Sequence, residues 1–301
     1  MALERAVVSG INRAVGLVWV QIPGRMQQTP AYFLGDPPCP RSIVVLDQTT
    51  NGAWYVVGME GPRRRVLNED FGQALNYAFG TFTDAVWCDS PWLKRSSLAS
   101  GTTVGSTLVT GTGDAQRVGT AFIATDANSG RWCSVVHAWD ATSSSWPESG
   151  GSLWMHTTFM VDGINNCVYQ VGFGDWNIAQ VWGIPTSGFR SCVVKHDTNF
   201  VGAPNTWFLE ATIDGNQTQA DTGIPVVAQQ FYSMDLVVTP GQWAGLWIDG
   251  QPGVFTNANI PAYNDQLSPF FGTLNRANVI QYVNIDCFYV DWIGSVIPPI
   301  I

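Results

Sequence analysis

Acidic side chains that could hydrolyse a glycosidic bond are few in the C-terminal two thirds of the chain. Two glutamates, Glu148 and Glu210, lie between residues 96 and 301. Glycoside hydrolysis uses two carboxyl groups that face each other across the scissile bond at a fixed, short separation. Glu210 and Asp214 share one face of a predicted strand, but at ~3.3 Å per residue they lie about 13 Å apart. We therefore predict no catalytic residue and no enzymatic activity.

Metal-binding and nucleophilic motifs are equally scarce. The three histidines, His137, His156 and His196, each lie in a strand-like run far from the others. Such histidines are more often partly buried, hydrogen-bonded strand residues than metal ligands, and their convergence in the folded chain is the alternative. The segment 126–130 begins like a calcium loop but lacks the distal glutamate, so it predicts a turn. We predict no metal and no cofactor.

Two tryptophans have neighbours that are typical of loops. Trp146 lies in SSSWPES and Trp176 lies in GDWN. An exposed indole offers a flat apolar surface to the C–H face of a sugar ring. We predict a glycan-binding set of Trp146, Asp175, Trp176 and Asn177. The alternative is that both indoles pack against the rim of the domain.

Composition indicates the elements that must position these residues. Only 12% of the 301 residues are charged, whereas glycine (31), tryptophan (14) and phenylalanine (15) are abundant, a mix that favours short strands and tight turns. The net charge of −9 disfavours nucleic acid as a partner and is compatible with a neutral glycan. No apolar run approaches the ~18 residues of a membrane span, and no secretory signal is expected. Six cysteines without a C-x-x-C pair predict reduced, buried thiols and synthesis in a cytoplasm.

The order of strands and turns predicts two β domains. In residues 1–62, short apolar runs alternate with turns, including the hairpin signal Asn51-Gly52, and predict a small closed barrel. Residues 63–95 form a predicted connector, in which 67–79 could hold a turn or two of helix. From 96 to 301 strand and turn alternate as in a large antiparallel β-sandwich. In its meander at 231–256, the run LWI is apolar throughout, which predicts a strand buried on both faces.

Both predicted domains resemble parts of bacteriophage particles. The series GDPPCP, SIVVL, NG and WYVVG in residues 1–60 resembles the OB-fold-like barrels of tail-hub and minor tail proteins of double-stranded DNA phages. The C-terminal motifs VGFG, DTGIPV, WIDG, NIP and YVDWI are similar to concanavalin-A-like jelly-roll domains in phage structural proteins. The resemblance implies a virion protein assembled in the host cytoplasm, often a homotrimer, whose jelly roll can recognise cell-surface glycans.

The connector supplies the residues that could dock the chain to a neighbour. The basic run Arg63, Arg64, Arg65 is either a solvated face or a patch for an acidic partner. The predicted docking and oligomer interface comprises Arg63, Arg64, Arg65, Leu67, Phe71, Leu75 and Phe79.

The function predicted from these features is structural. We expect a minor tail protein that contacts other tail proteins through its barrel and attaches to the host surface through its jelly roll. The alternatives are a polysaccharide-degrading enzyme of the tail and a capsid decoration or head-fibre protein.

Overall fold

The computed structural model describes residues 3–70, 92–96, 103–107, 120–125, 127–137, 151–175, 188–199, 205–263, 265, 267–294 and 296–299. Within these ranges the secondary structure is β-strand, apart from one 3-10 turn at Arg13–Val15. No helix in the described ranges is long and apolar enough to cross a bilayer. The strands are β1 (Glu4–Asn12), β2 (Leu17–Gln21), β3 (Thr29–Tyr32), β4 (Ile43–Gln48), β5 (Trp54–Met59), β6 (Arg63–Asp70), β7 (Trp92–Ser96), β8 (Thr103–Thr107), β9 (Thr120–Ala124), β10 (Trp132–His137), β11 (Ser152–Val161), β12 (Cys167–Asp175), β13 (Arg190–Asp197), β14 (Thr206–Ile213), β15 (Asn216–Pro225), β16 (Phe231–Thr239), β17 (Trp243–Ile248), β18 (Val254–Thr256), β19 (Leu267–Asn275) and β20 (Tyr282–Ile293).

The first five strands close into the predicted barrel, in the order β1-β2-β3-β5-β4. Alternating residues of β1, β2 and β4 fill its interior, as the period of two requires. The hairpin between β4 and β5 turns at Asn51 and Gly52, and Gly52 adopts a φ of 87°, which glycine tolerates best. The predicted hairpin is therefore confirmed.

Two antiparallel sheets form the sandwich. The first has the order β15-β14-β13-β12-β19-β10-β7, and the second has the order β18-β17-β16-β11-β20-β9-β8. Strand β20 is long enough for two partners on one side: β9 pairs with its first part and β6 with its second. Apolar side chains from both inner faces, such as Phe159, Trp207 and Phe271, form one continuous core. The predicted all-β class with an antiparallel jelly-roll sandwich is confirmed.

The barrel packs against the outer face of the second sheet. Trp154, Trp243 and Trp247 of the sandwich share one apolar cluster with the barrel interior. The indole Nε1 of Trp247 donates to the backbone oxygen of Ser9 at 3.1 Å. Strand β17 is thus buried on both faces as predicted, but one of its faces is covered by the barrel and not by a second sheet.

The start of the predicted connector differs from expectation. Arg63–Asp70 is a strand that pairs with β20, so the prediction of a helical turn was wrong for residues 67–70. The physical reason is tertiary, because a free edge of β20 offers backbone partners that outweigh a weak local helix preference. The domain limits at residues 62 and 95 stay a prediction.

Candidate functional site

A cleft of about 410 Å³ opens where the barrel meets the second sheet of the sandwich. The barrel contributes the 3-10 turn after β1 and the loop before β4, and the sandwich contributes β6, β11 and β20. The cleft therefore exists only when both parts are in place. Its lining residues are Arg13, Asp36, Pro37, Arg63, Arg65, Trp154, His156, Tyr289 and Asp291.

Strand alternation and register explain why these side chains meet. On β11, Met155 points into the sandwich core, so its neighbours Trp154 and His156 point outward. His156 lies opposite Asp235 of β16 on one side and opposite Tyr289 of β20 on the other. The register thus aligns a carboxylate, an imidazole and a phenol across three adjacent strands.

Asp235 is a buried acceptor behind the lining residues Arg13, Trp154 and His156. Its Oδ1 accepts a hydrogen bond from Trp154 Nε1 at 2.8 Å and lies 3.2 Å from Arg13 Nη2 and 3.1 Å from His156 Nδ1. Burial alone would raise the pKa of this carboxyl, but Arg13 and His156 reverse the effect and lower the pKa of Asp235 to about 2. The side chain is therefore an anion at neutral pH.

His156 is held in one orientation and in its neutral form. Burial and the positive charge of Arg13 lower the pKa of His156, while Asp235 opposes that shift. A neutral imidazole that donates from Nδ1 to a carboxylate keeps Nε2 as its basic atom. The Tyr289 ring stacks beside the imidazole, with a centroid separation of 6.2 Å and an interplanar angle of 8°. A base and a phenolic hydroxyl group thus line the same cleft.

Three guanidinium groups make the other part of the lining. Arg63 Nε donates to Asp291 Oδ2 at 2.7 Å, and Arg65 forms ion pairs with both Asp291 and Asp36. Burial raises the pKa of Asp291, and the two arginines oppose that rise.

The arginines also stack on the aromatic rings of the cleft. Arg13 and Arg63 lie over the Trp154 ring at 5.3 and 5.0 Å, and Arg65 lies over Tyr289 at 5.3 Å. These contacts hold a cluster of N–H donors in place beside the base.

The predicted interface residues are divided by the structure. Arg63 and Arg65 line the cleft, and Arg64 is exposed. Leu67 is buried in the sandwich core. Phe71, Leu75 and Phe79 lie outside the described residues, so the interface as a whole stays a prediction.

The predicted glycan-binding residues are only partly described. Asp175 is half-buried at the end of β12. Trp146, Trp176 and Asn177 lie outside the described residues, and this site also stays a prediction.

The histidines occupy separate places. Each lies in a strand, as predicted, but is fully and not partly buried: His137 in β10, His156 in β11 and His196 in β13. Within the described ranges, no group of three or more His, Cys, Asp or Glu side chains could hold a metal ion. The sequence gave no sign that His156 lies between Asp235 and Tyr289, because β11, β16 and β20 lie far apart in the chain.

Comparisons with solved structures find sandwiches of this class. The chain is similar to an endo-β-1,4-glucuronan lyase from the fungus Trichoderma reesei, with 10% identity, a TM-score of 0.45 and coverage of 71% of this chain and 95% of that one. It is similar to peanut lectin, with 9% identity, a TM-score of 0.43 and coverage of 66% of this chain and 100% of that one. It is also similar to a family 7 alginate lyase, with 10% identity, a TM-score of 0.42 and coverage of 62% of this chain and 86% of that one. No family model and no curated protein matches the sequence. At these identities and scores the likeness concerns the fold alone.

The prediction that the chain has no enzymatic activity was wrong. It is contradicted by the comparisons, in which several of the similar structures are glucuronan or alginate lyases. A lack of paired carboxylates argues against glycoside hydrolysis only. Proton transfer by a histidine and a tyrosine needs no such pair.

Proposed function

We propose that the chain cleaves a polysaccharide that carries carboxylate groups, by a β-elimination in the cleft between barrel and sandwich. The observation that carries this proposal is the row Asp235, His156, Tyr289, which places an oriented neutral base beside a phenol. Arg13, Arg63 and Arg65 can bind an anionic sugar in competition with Asp235, Asp291 and Asp36, with which they form ion pairs. A neutral sugar would gain little from them.

Each residue has one role in the proposed reaction. Arg63 and Arg65, which share Asp291, also bind the carboxylate of a uronate unit, and this contact makes the hydrogen on the adjacent carbon more acidic. His156 Nε2 removes that proton while Asp235 holds the ring and stabilises the imidazolium that forms. The electron pair of the broken C–H bond forms a carbon–carbon double bond as the glycosidic C–O bond breaks. Tyr289 donates its phenolic proton to the leaving oxygen.

A panel of uronate polymers tests the proposal. Purified protein is incubated with polyglucuronate, alginate and polygalacturonate, and the unsaturated product is followed by its ultraviolet absorbance. We expect product from at least one polymer, and a loss of roughly 100-fold or more in His156→Gln and Tyr289→Phe, the usual size of a general acid or base contribution. Tyr282→Phe, on the same strand but away from the cleft, is the matched control. No unsaturated product from any polymer, or full activity in both cleft variants, would overturn the proposal.

We also propose that this activity operates in a bacteriophage tail, where the barrel docks to other tail proteins and the sandwich faces the host glycan. The sequence resemblance supports this setting, and a homotrimer assembled in the host cytoplasm is part of it. Mass spectrometry of separated heads and tails would find the chain in tails, whereas recovery from heads would favour a decoration or head-fibre protein. A monomeric mass at micromolar concentration would contradict the trimer.

A further inference from the structure

Aromatic side chains stand exposed on the outer surface of the barrel. Trp19 of β2 is 39% exposed and Tyr32 of β3 is 44% exposed. The ring centroids of Tyr32 and Tyr55, which lie on the parallel strands β3 and β5, are 5.5 Å apart. Three aromatic rings on adjacent strands thus form a surface that we call the aromatic platform: Trp19, Tyr32 and Tyr55.

Strand alternation fixes the direction of these rings. Val18 and Val20 are buried in the barrel interior, so Trp19 between them must point outward. Trp19 lies opposite Pro30, and Tyr32 follows two residues later on the same strand. Diagonal neighbours of this kind are about 7–8 Å apart, which is within reach of a ligand a few rings long.

A small cavity adjoins the platform at Trp19. It has a volume of about 260 Å³ and is lined by Ser9, Gly10, Trp19, Gln28, Gly250 and Pro252. Gly10 and Gly250 bring the barrel and the sandwich together here, since a Cβ on Gly250 would lie 2.6 Å from the backbone oxygen of Ile11. The exposed Gln28 side chain adds an amide to the rim. The cavity therefore combines an aromatic wall with hydrogen-bonding groups at the scale of one ring.

The charges around the platform decide which class of ligand fits. The two cations nearest to Trp19 in the sequence are already in ion pairs, Arg13 with Asp235 and Arg25 with Glu4. A single-stranded nucleic acid needs cations along its backbone as well as stacking rings. The net charge of −9 opposes such a ligand further. An uncharged sugar ring uses the aromatic faces and suffers no repulsion.

We propose that the aromatic platform and its cavity bind a neutral glycan, with one pyranose ring stacked on Trp19 and hydrogen-bonded by Gln28. This site is separate from the cleft and takes an uncharged ligand, so it goes beyond the proposed reaction. Its partner class is an oligosaccharide chain a few units long. It would hold the particle or the enzyme on a host glycan while the cleft acts elsewhere.

Isothermal titration with neutral oligosaccharides tests the site. The probes are cello-, chito- and malto-oligosaccharides, titrated into the wild-type protein and five variants, with single-stranded oligothymidylate as the competing class. We expect at least one oligosaccharide to bind, a loss of about 10-fold or more in Trp19→Ala, and a smaller loss in Trp19→Phe. Gln28→Ala should also weaken binding, and it leaves the barrel interior untouched. Met26→Ala, an exposed apolar residue outside the cavity, should bind like the wild type.

The outcomes separate this proposal from the one on the cleft. Binding that persists in His156→Gln and is lost in Trp19→Ala supports a second site, whatever the result with uronate polymers. No binding of any neutral oligosaccharide, or equal binding by the wild type, Trp19→Ala and Gln28→Ala, overturns it. Oligothymidylate binding that depends on Trp19 would replace the glycan with a nucleic acid and would also overturn it.

Discussion

Replacing Asp235 with asparagine should destabilise the fold next to the cleft. The asparagine keeps the size of the side chain but removes the negative charge that faces Arg13 and His156. Removing one partner of a buried ion pair costs about 3–5 kcal/mol, because the other charge is left uncompensated. Arg13 is partly exposed, so we expect the lower end, a fall of about 3 kcal/mol in the free energy of unfolding at pH 7.

The pH dependence of this variant gives a sharper measure than its stability at one pH. The pKa of Asp235 is about 2 in the folded chain, below its ordinary value of 3.8. A group with a depressed carboxyl pKa stabilises the fold above its unfolded pKa and loses that contribution as the pH falls through the folded value. The shift corresponds to about 2 kcal/mol, present above pH ~4 and lost on the way down to pH ~2.

Urea unfolding of both proteins between pH 7 and pH 2 measures this contribution. The difference in the free energy of unfolding between wild type and Asp235→Asn should be constant from pH 7 to about pH 5. It should decrease by about 2 kcal/mol by pH 2. The matched control is Asp249→Asn. Burial raises the pKa of Asp249, so the difference in the free energy of unfolding between wild type and this variant should not decrease at low pH. A difference for Asp235→Asn that stays the same at every pH would refute the reasoning.

Three further predictions concern other parts of the fold. Gly250→Ala should lower the free energy of unfolding by at least about 2 kcal/mol more than Gly24→Ala, measured by urea unfolding, because both glycines have positive φ but only the first meets a barrel carbonyl within 3 Å. Burial lowers the pKa of His137 from 6.5 to about 4, so the free energy of unfolding should fall by about 1.4 kcal/mol for each unit by which the pH drops from 6.5 to 4. His137→Gln should abolish that component of the pH profile. Lys195→Met should cost about 3 kcal/mol or more by leaving Glu210 buried without its cation, and the double variant with Glu210→Gln should recover much of that loss.

Strands β15 and β19 of the sandwich are hard to predict from local pattern, for different physical reasons. Strand β15 is mostly polar and lies at the edge of its sheet, where neither face is deeply buried. Strand β19 lies inside the same sheet but contains Pro269, which normally argues against a central strand. The structure accommodates it because the ladder with β10 ends at Phe270, the residue just after the proline. Neither exception can be read from local pattern.

The sandwich and the barrel followed from alternation and turns, whereas the site did not. Asp235, His156 and Tyr289 belong to strands whose order in the sheet depends on long-range pairing. The sequence marked His156 only as a buried strand histidine, and that was correct but incomplete. Trp19 was missed because a tryptophan between two valines is equally typical of a core strand, and only the closed barrel decides which face is outside.

The apolar contact between barrel and sandwich limits which fragments of the protein can be produced on their own. Cutting the chain after residue 62 would leave Trp154, Trp243 and Trp247 facing water on a bare sheet. An apolar surface of this kind drives association between copies. The isolated C-terminal fragment should therefore precipitate or form aggregates in expression trials, and a fusion or mutational study of the sandwich has to carry its N-terminal cover along.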